Sequence, residues 1–222
     1  MSESDSFIDE VAEEVRRDQL FAMFRKYGWI AITAVLLIVG AAAWNEWQKA
    51  RHEAAAQAFG DAVTKAVAAS DPAARLAALA ALAAVTPTGA PGQAAVLGLL
   101  IASQAEAAGK HDEAVKALQA IIDNAKLPDS YRQLAQLKLV MLDGAHMDGG
   151  QRDSLLAALA APGAPYRTLA MEQQAVVLLD AGKTDAAADL LGKVAVDADA
   201  TPAEQGRAKD ILVALGKAAP DK

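Results

Sequence analysis

The chain contains no cysteine in its 222 residues, so neither a disulfide nor a thiolate zinc site can form. Aromatics are few, with three Trp, three Tyr and four Phe, and all three tryptophans fall within residues 29–47. Strand signatures are scarce too: there are few β-branched runs and no sustained apolar/polar alternation. Net positive charge is lacking as well: at −7 the balance argues against nucleic acid as a partner, since phosphate binding needs a concentrated basic face. These absences exclude a disulfide scaffold, a β fold and a nucleic-acid partner.

What is abundant is alanine, with 56 residues, which inflates the apolar fraction without supplying large core side chains. Alanine is the best helix former and lets helices approach closely. The composition therefore predicts an all-α protein.

One stretch stands apart. Tyr27 to Trp47 is 21 residues long, and from Trp29 to Ala43 it carries no charge and one polar side chain, Thr33. About 20 helical residues cross a hydrocarbon core roughly 30 Å thick, so this segment reads as a transmembrane helix over residues 28–47. Tyr27 and Trp29 at one end, and Trp44 and Trp47 at the other, match interfacial aromatic belts. Arg16, Arg17, Arg25 and Lys26 precede the span, against Lys49 and Arg51 after it. The positive-inside rule then places residues 1–27 in the cytoplasm and the remainder outside, in the periplasm of a bacterium. A cleaved signal peptide is the rival, since Ala41-Ala42-Ala43 resembles a cleavage site. The long acidic leader and Trp44 directly after that site argue against cleavage.

Residues 1–6 read as a disordered terminus. From Phe7, with Asp5 or Ser6 as cap, a helix runs whose apolar residues suit either the bilayer surface or a solvated extension. Beyond Trp47 the helical pattern continues unbroken to about Ala69. Ser70-Asp71-Pro72 then caps a helix over 72–85, and residues 86–92 form a loop. Further helices are expected over 93–108, 112–125, from an Asp129 or Ser130 cap to 143, 151–161, 166–181 and 185–196. Thr201-Pro202-Ala203-Glu204 is a capping box opening a last helix to about Leu215, and 217–222 is a frayed, disordered tail.

Two turns match. Ala108-Gly109-Lys110-His111-Asp112-Glu113-Ala114 aligns with Ala181-Gly182-Lys183-Thr184-Asp185-Ala186-Ala187 at an offset of 73. Tyr131-Arg132-Gln133-Leu134-Ala135 recurs as Tyr166-Arg167-Thr168-Leu169-Ala170 at an offset of 35. Both fit a helical-pair repeat of about 34 residues with a small insertion. Ala102, Ala114, Ala175 and Ala187 would permit close helix pairing, and Gly109 and Gly182 would take positive φ. Residues 48–216 are thus expected to form a tetratricopeptide-like α-solenoid of about four helical pairs plus a C-terminal capping helix. Its first helices offer Gln104, Lys138 and Gln174 as candidate groove residues.

The segment Arg16–Trp29, the single span, the exit Trp44-Asn45-Glu46-Trp47 and the degenerate repeats together resemble the YfgM-like proteins, ancillary subunits of the SecYEG translocon. The resemblance implies a non-enzymatic inner-membrane scaffold. Its implied partners are the translocon and periplasmic chaperones or emerging client proteins.

No catalytic constellation is visible. His52, His111 and His146 lie far apart in sequence, without the spacing of a helical zinc site, and read as exposed or turn histidines. Gly144–Gly150 lacks the ending of a phosphate loop, and Asp148 does not fit a calcium loop. No cofactor, metal or small-molecule substrate is expected. Two alternatives remain: an assembly factor for another envelope complex, serving cytochrome maturation or division, and an enzyme with a buried titratable cluster.

Overall fold

The computed structural model describes the backbone of residues 3–86 and 91–218; side chains of residues 3–24, Tyr27, Gly28, Ala31 and Pro91 lie outside the described set. The expected amphipathic contacts of Phe7 to Phe24, the Tyr27 ring and the 219–222 tail therefore fall outside it. The chain divides into two compact units, Met1–Asp61 and Ala62–Lys222.

Among the described residues every regular element is a helix: α1 (Glu3–Val67), α2 (Pro72–Val85), α3 (Pro91–Ala107), α4 (His111–Ile122), α5 (Asp129–Asp143), α6 (Gly149–Leu159), α7 (Arg167–Asp180), α8 (Thr184–Val196) and α9 (Pro202–Ala214). α1 opens at Glu3, four residues before the expected Phe7. From α2 to α9 each helix packs on the next one in the chain, and α7 also touches α9.

The helix starts follow from local chemistry. The Asp71 carboxylate accepts the Ala74 N–H at 2.8 Å, with Pro72 at the first helical position. At α9, Thr201 Oγ1 accepts the Glu204 N–H at 3.3 Å and Glu204 Oε2 accepts the Thr201 N–H at 2.6 Å, a reciprocal capping box. Two starts differ from the sequence reading. Pro128, not Asp129 or Ser130, is the N-cap of α5, and Asp129 instead pairs with Arg132 inside the first turn. α6 begins at Gly149 rather than Gln151, because the Asp148 carboxylate accepts the Gln151 N–H at 2.9 Å.

The core of the second unit is a chain of small clusters. Leu118, Ile121, Ala135 and Leu139 join α4 to α5; Leu137, Leu156, Leu159 and Ala170 join α5, α6 and α7. Met171, Leu191, Val194, Ala208 and Leu212 join α7, α8 and α9. Each buried Leu contributes roughly 1.5–3 kcal/mol, and the Ala positions between them keep the axes close.

Candidate functional site

In the first unit, the described apolar side chains between Trp29 and Val39 are exposed. Ile30, Ile32 and Val35 through Val39 are between 47 % and 69 % exposed. Five consecutive residues at about 100° apart sweep more than a full turn, so Val35 to Val39 present apolar side chains in every direction around the helix. Thr33, the one polar side chain of that stretch, donates to the Trp29 carbonyl at 2.8 Å and so satisfies its hydroxyl within the helix. Trp44 and Trp47 lie with ring centroids 5.1 Å apart, and the Arg51 guanidinium sits 4.7 Å over the Trp47 ring. No helix is long and apolar enough to cross a membrane among the described residues, which omit the side chains of Tyr27, Gly28 and Ala31.

The second unit shows why its repeat echoes exist. Gly109 and Gly182 have φ of 71° and 72°. At each turn the N–H of the following lysine reaches back five residues, Lys110 to the Ala105 carbonyl and Lys183 to the Leu178 carbonyl, both at 2.8 Å. Ala102, Ala114, Ala175 and Ala187 are all buried, as are Leu118 with Leu191 and Ile121 with Val194, 73 residues apart. Ala135 and Ala170, at the offset of 35, are fully buried as well. A third turn escaped the sequence reading. Gly216 has φ of 70°, and the Lys217 N–H reaches the Leu212 carbonyl at 2.9 Å, so α9 ends as α3 and α7 do.

The candidate groove residues do not share one surface. Lys138 lines a cleft of about 180 Å³ between α3 and α5, with Leu99, Ser103, Glu106, Met141 and Leu142. That volume is below the roughly 300–1,000 Å³ of typical small-molecule pockets. Gln174 lines another cleft, with Asp153, Leu156, Val177, Leu178 and Leu190 of α6, α7 and α8. Gln104 is half-buried, and its Oε1 is enclosed without a hydrogen-bond partner.

A polar spine joins α7 to α9. Thr168, Glu172 and Glu204 are the buried polar side chains of the described core. Thr168 Oγ1 donates to Glu204 Oε1 at 3.0 Å, and Arg207 donates to both oxygens of Glu172. Burial pushes the Glu204 carboxyl up, but hydrogen bonds from Thr201 and Thr168 hold it below the ordinary carboxylate range. Nearby, Arg167 donates to Asp197 at 2.6 Å and to Asp199 at 2.8 Å, which lowers the Asp197 pKa. These hydrogen bonds tie α7 to α9 and to the α8–α9 connection.

The fold brings together two histidines that lie far apart in the sequence. His111 and His146, 35 residues apart, meet on one carboxylate: His111 Nε2 lies 3.0 Å and His146 Nδ1 2.9 Å from Asp143 Oδ1. Each still lies at a turn as expected, His111 two residues after Gly109 and His146 exposed in the α5–α6 connection. Only the register of the repeat, which stacks the start of α4 beside the end of α5, makes their meeting visible.

A family model described as a tetratricopeptide repeat-like domain matches residues 23–162. Neither the curated proteins nor the solved structures yield a match to the chain. The Gly–Lys turns at 182 and 216 carry the same pattern beyond the matched residues. Helical pairs of this kind are typically protein-interaction modules rather than catalytic ones. With the match covering well over half of the chain, and with helical pairs closed by positive-φ glycines, this protein belongs to the tetratricopeptide repeat-like domain family.

Proposed function

We propose that this protein is a non-enzymatic, single-span scaffold of the bacterial inner membrane, with residues 1–27 cytoplasmic and the helical repeats periplasmic. The observation that carries this reading is the uncovered apolar sleeve of α1, Ile30 to Val39, in a chain whose second unit is a repeat domain suited to protein binding. Exposing such a sleeve to water on every face is unfavourable; lipid removes that cost. The Thr33 hydroxyl, bonded inside its own helix, suits the same environment.

The partner is proposed from the resemblance of Arg16–Trp29 and Trp44–Trp47 to the YfgM-like proteins: the SecYEG translocon, with periplasmic chaperones or emerging clients at the repeats. The cleft between α3 and α5 is the contact surface we assign to them. Met141 and Leu99 supply apolar contact there, and Lys138 and Glu106 supply charge. Photocrosslinking from positions 103, 138 and 141 of the full chain in cells tests the proposal. It predicts adducts with translocon subunits or exported clients; adducts with neither, while the protein remains abundant, would refute it.

A further inference from the structure

Four turn glycines mark the repeat, at 109, 144, 182 and 216, spaced 35, 38 and 34 residues apart. Three have positive φ and the fourth does not. Gly144 keeps a helical backbone at φ −56°, and residues 145–148 intervene before α6 begins at Gly149. This longer connection folds His146 back over the end of α5. Backbone bonds fix its course: the Gly144 N–H donates to the Val140 carbonyl at 2.9 Å, and the His146 and Met147 N–H groups donate to the Asp143 carbonyl at 2.9 and 3.1 Å. Met147 packs against the cluster of Leu137, Val140 and Leu156, which anchors the loop.

The result is a constellation of three side chains from three places in the chain. His111 is the first residue of α4, Asp143 the last of α5, and His146 sits in the connection to α6. Each offers one ligand atom, and those atoms all lie within 4.8 Å of one another. The imidazole rings meet edge-on, with centroids 5.8 Å apart.

We propose that His111, Asp143 and His146 bind a divalent cation of the zinc class. Two imidazoles and a carboxylate are the ligand types that such borderline ions prefer, whereas calcium and magnesium require mostly oxygen. Zinc bonds of about 2.0–2.1 Å in a tetrahedron set neighbouring ligand atoms roughly 3.3 Å apart. The distances of 2.9 and 3.0 Å to Asp143 Oδ1 reach that spacing if each opens by a few tenths of an ångström. The side chains are free to do so, being 42 %, 22 % and 77 % exposed for His111, Asp143 and His146. Ligation uses His111 Nε2 and His146 Nδ1 in their neutral forms, so the ring protons reside on His111 Nδ1 and His146 Nε2. Solvent fills the remaining position. Without cysteine in the chain, a site of this class must be built from such ligands. The bound ion would tie the start of α4 to the α5–α6 connection.

The test is zinc titration of the full chain, purified without a histidine tag, by competition against a chromophoric chelator, with thermal unfolding followed in parallel. The expected result is one zinc per chain with micromolar affinity and a zinc-dependent rise in midpoint temperature. His146→Gln, at an exposed loop position that leaves the core untouched, weakens binding by at least about tenfold and abolishes the thermal shift. His111→Gln does the same, and His52→Gln changes neither. Zinc uptake absent at about 100 μM (a free energy weaker than about −5.5 kcal/mol), or uptake unaltered by His111→Gln and His146→Gln together, overturns the proposal.

Discussion

Arg207 of α9 donates two hydrogen bonds to the carboxylate of Glu172 in α7, at 2.8 and 2.7 Å, so the last helix is fastened two helices back rather than only to its neighbour. Glu172 is buried, while the Arg207 side chain is 47 % exposed. The forked geometry matches guanidinium to carboxylate and lends the contact direction as well as strength.

Removing one partner leaves the other charge enclosed. Arg207→Ala should destabilise the helical domain by about 1–2 kcal/mol, the lower part of the range for charged hydrogen bonds, because solvent screens the exposed guanidinium. Urea unfolding followed by circular dichroism measures this directly. Arg207→Lys, which cannot make the paired contact, should recover only part of the loss.

Glycine substitutions separate close packing from open surface. At Gly98 an added Cβ would meet Ile121 at 2.8 and 2.9 Å, because α3 and α4 approach there. Gly98→Val should therefore cost about 1–3 kcal/mol through overpacking. Gly206 in α9 has nothing within 4 Å, so Gly206→Ala should stabilise by about 0.5–1 kcal/mol through helix propensity. Midpoints from denaturant titrations should move in opposite directions.

Acid should loosen the C-terminal helices. The Arg167 hydrogen bond and the Asp199 backbone N–H hold Asp197 below its ordinary pKa, and Glu204 is held low by its Thr201 and Thr168 partners against burial. A carboxyl depressed in the folded state contributes stability that is fully present above its unfolded pKa, about 4, and is lost as pH falls through the folded value. Unfolding free energy should thus be flat near neutrality and decline below about pH 4. Asp197→Asn should lower the plateau and flatten the decline, an outcome read from melts across pH 2–7.

The clearest parts of this fold in the sequence are those governed by neighbours along the chain. Asp71-Pro72 and Thr201–Glu204 announce their caps within four residues, and Gly109 and Gly182 announce turns that need positive φ. Features made by residues a repeat apart are not legible that way. Glu204 reads as a local capping residue, yet its other oxygen serves Thr168, 36 positions earlier. His111 and His146 reveal nothing until the α4 start and the α5 end are side by side. Asp148 reads in the sequence only as a loop acid, because its capping role depends on where α6 begins. Gly98 has no turn to mark it; its significance lies in Ile121 across the interface.

The α1 sleeve makes its own prediction. Leu36, at the middle of the exposed stretch, is 66 % exposed, so a polar substitution there removes little packing. Leu36→Asp should leave the melting of the repeat domain unchanged while shifting the protein toward the alkali-extractable fraction, since a charge at mid-bilayer costs about 2.5–3.5 kcal/mol. Leu36→Ala should remain with the membrane.

In the proposed arrangement α1 anchors the chain, with its repeats outside the cytoplasm. Protease treatment of spheroplasts carrying an epitope before residue 27 and a second after residue 216 tests it most directly. That arrangement predicts loss of the C-terminal epitope and protection of an N-terminal fragment that stays with the membrane. Protection of both epitopes in intact spheroplasts, or recovery of the whole chain in the wash, would contradict it.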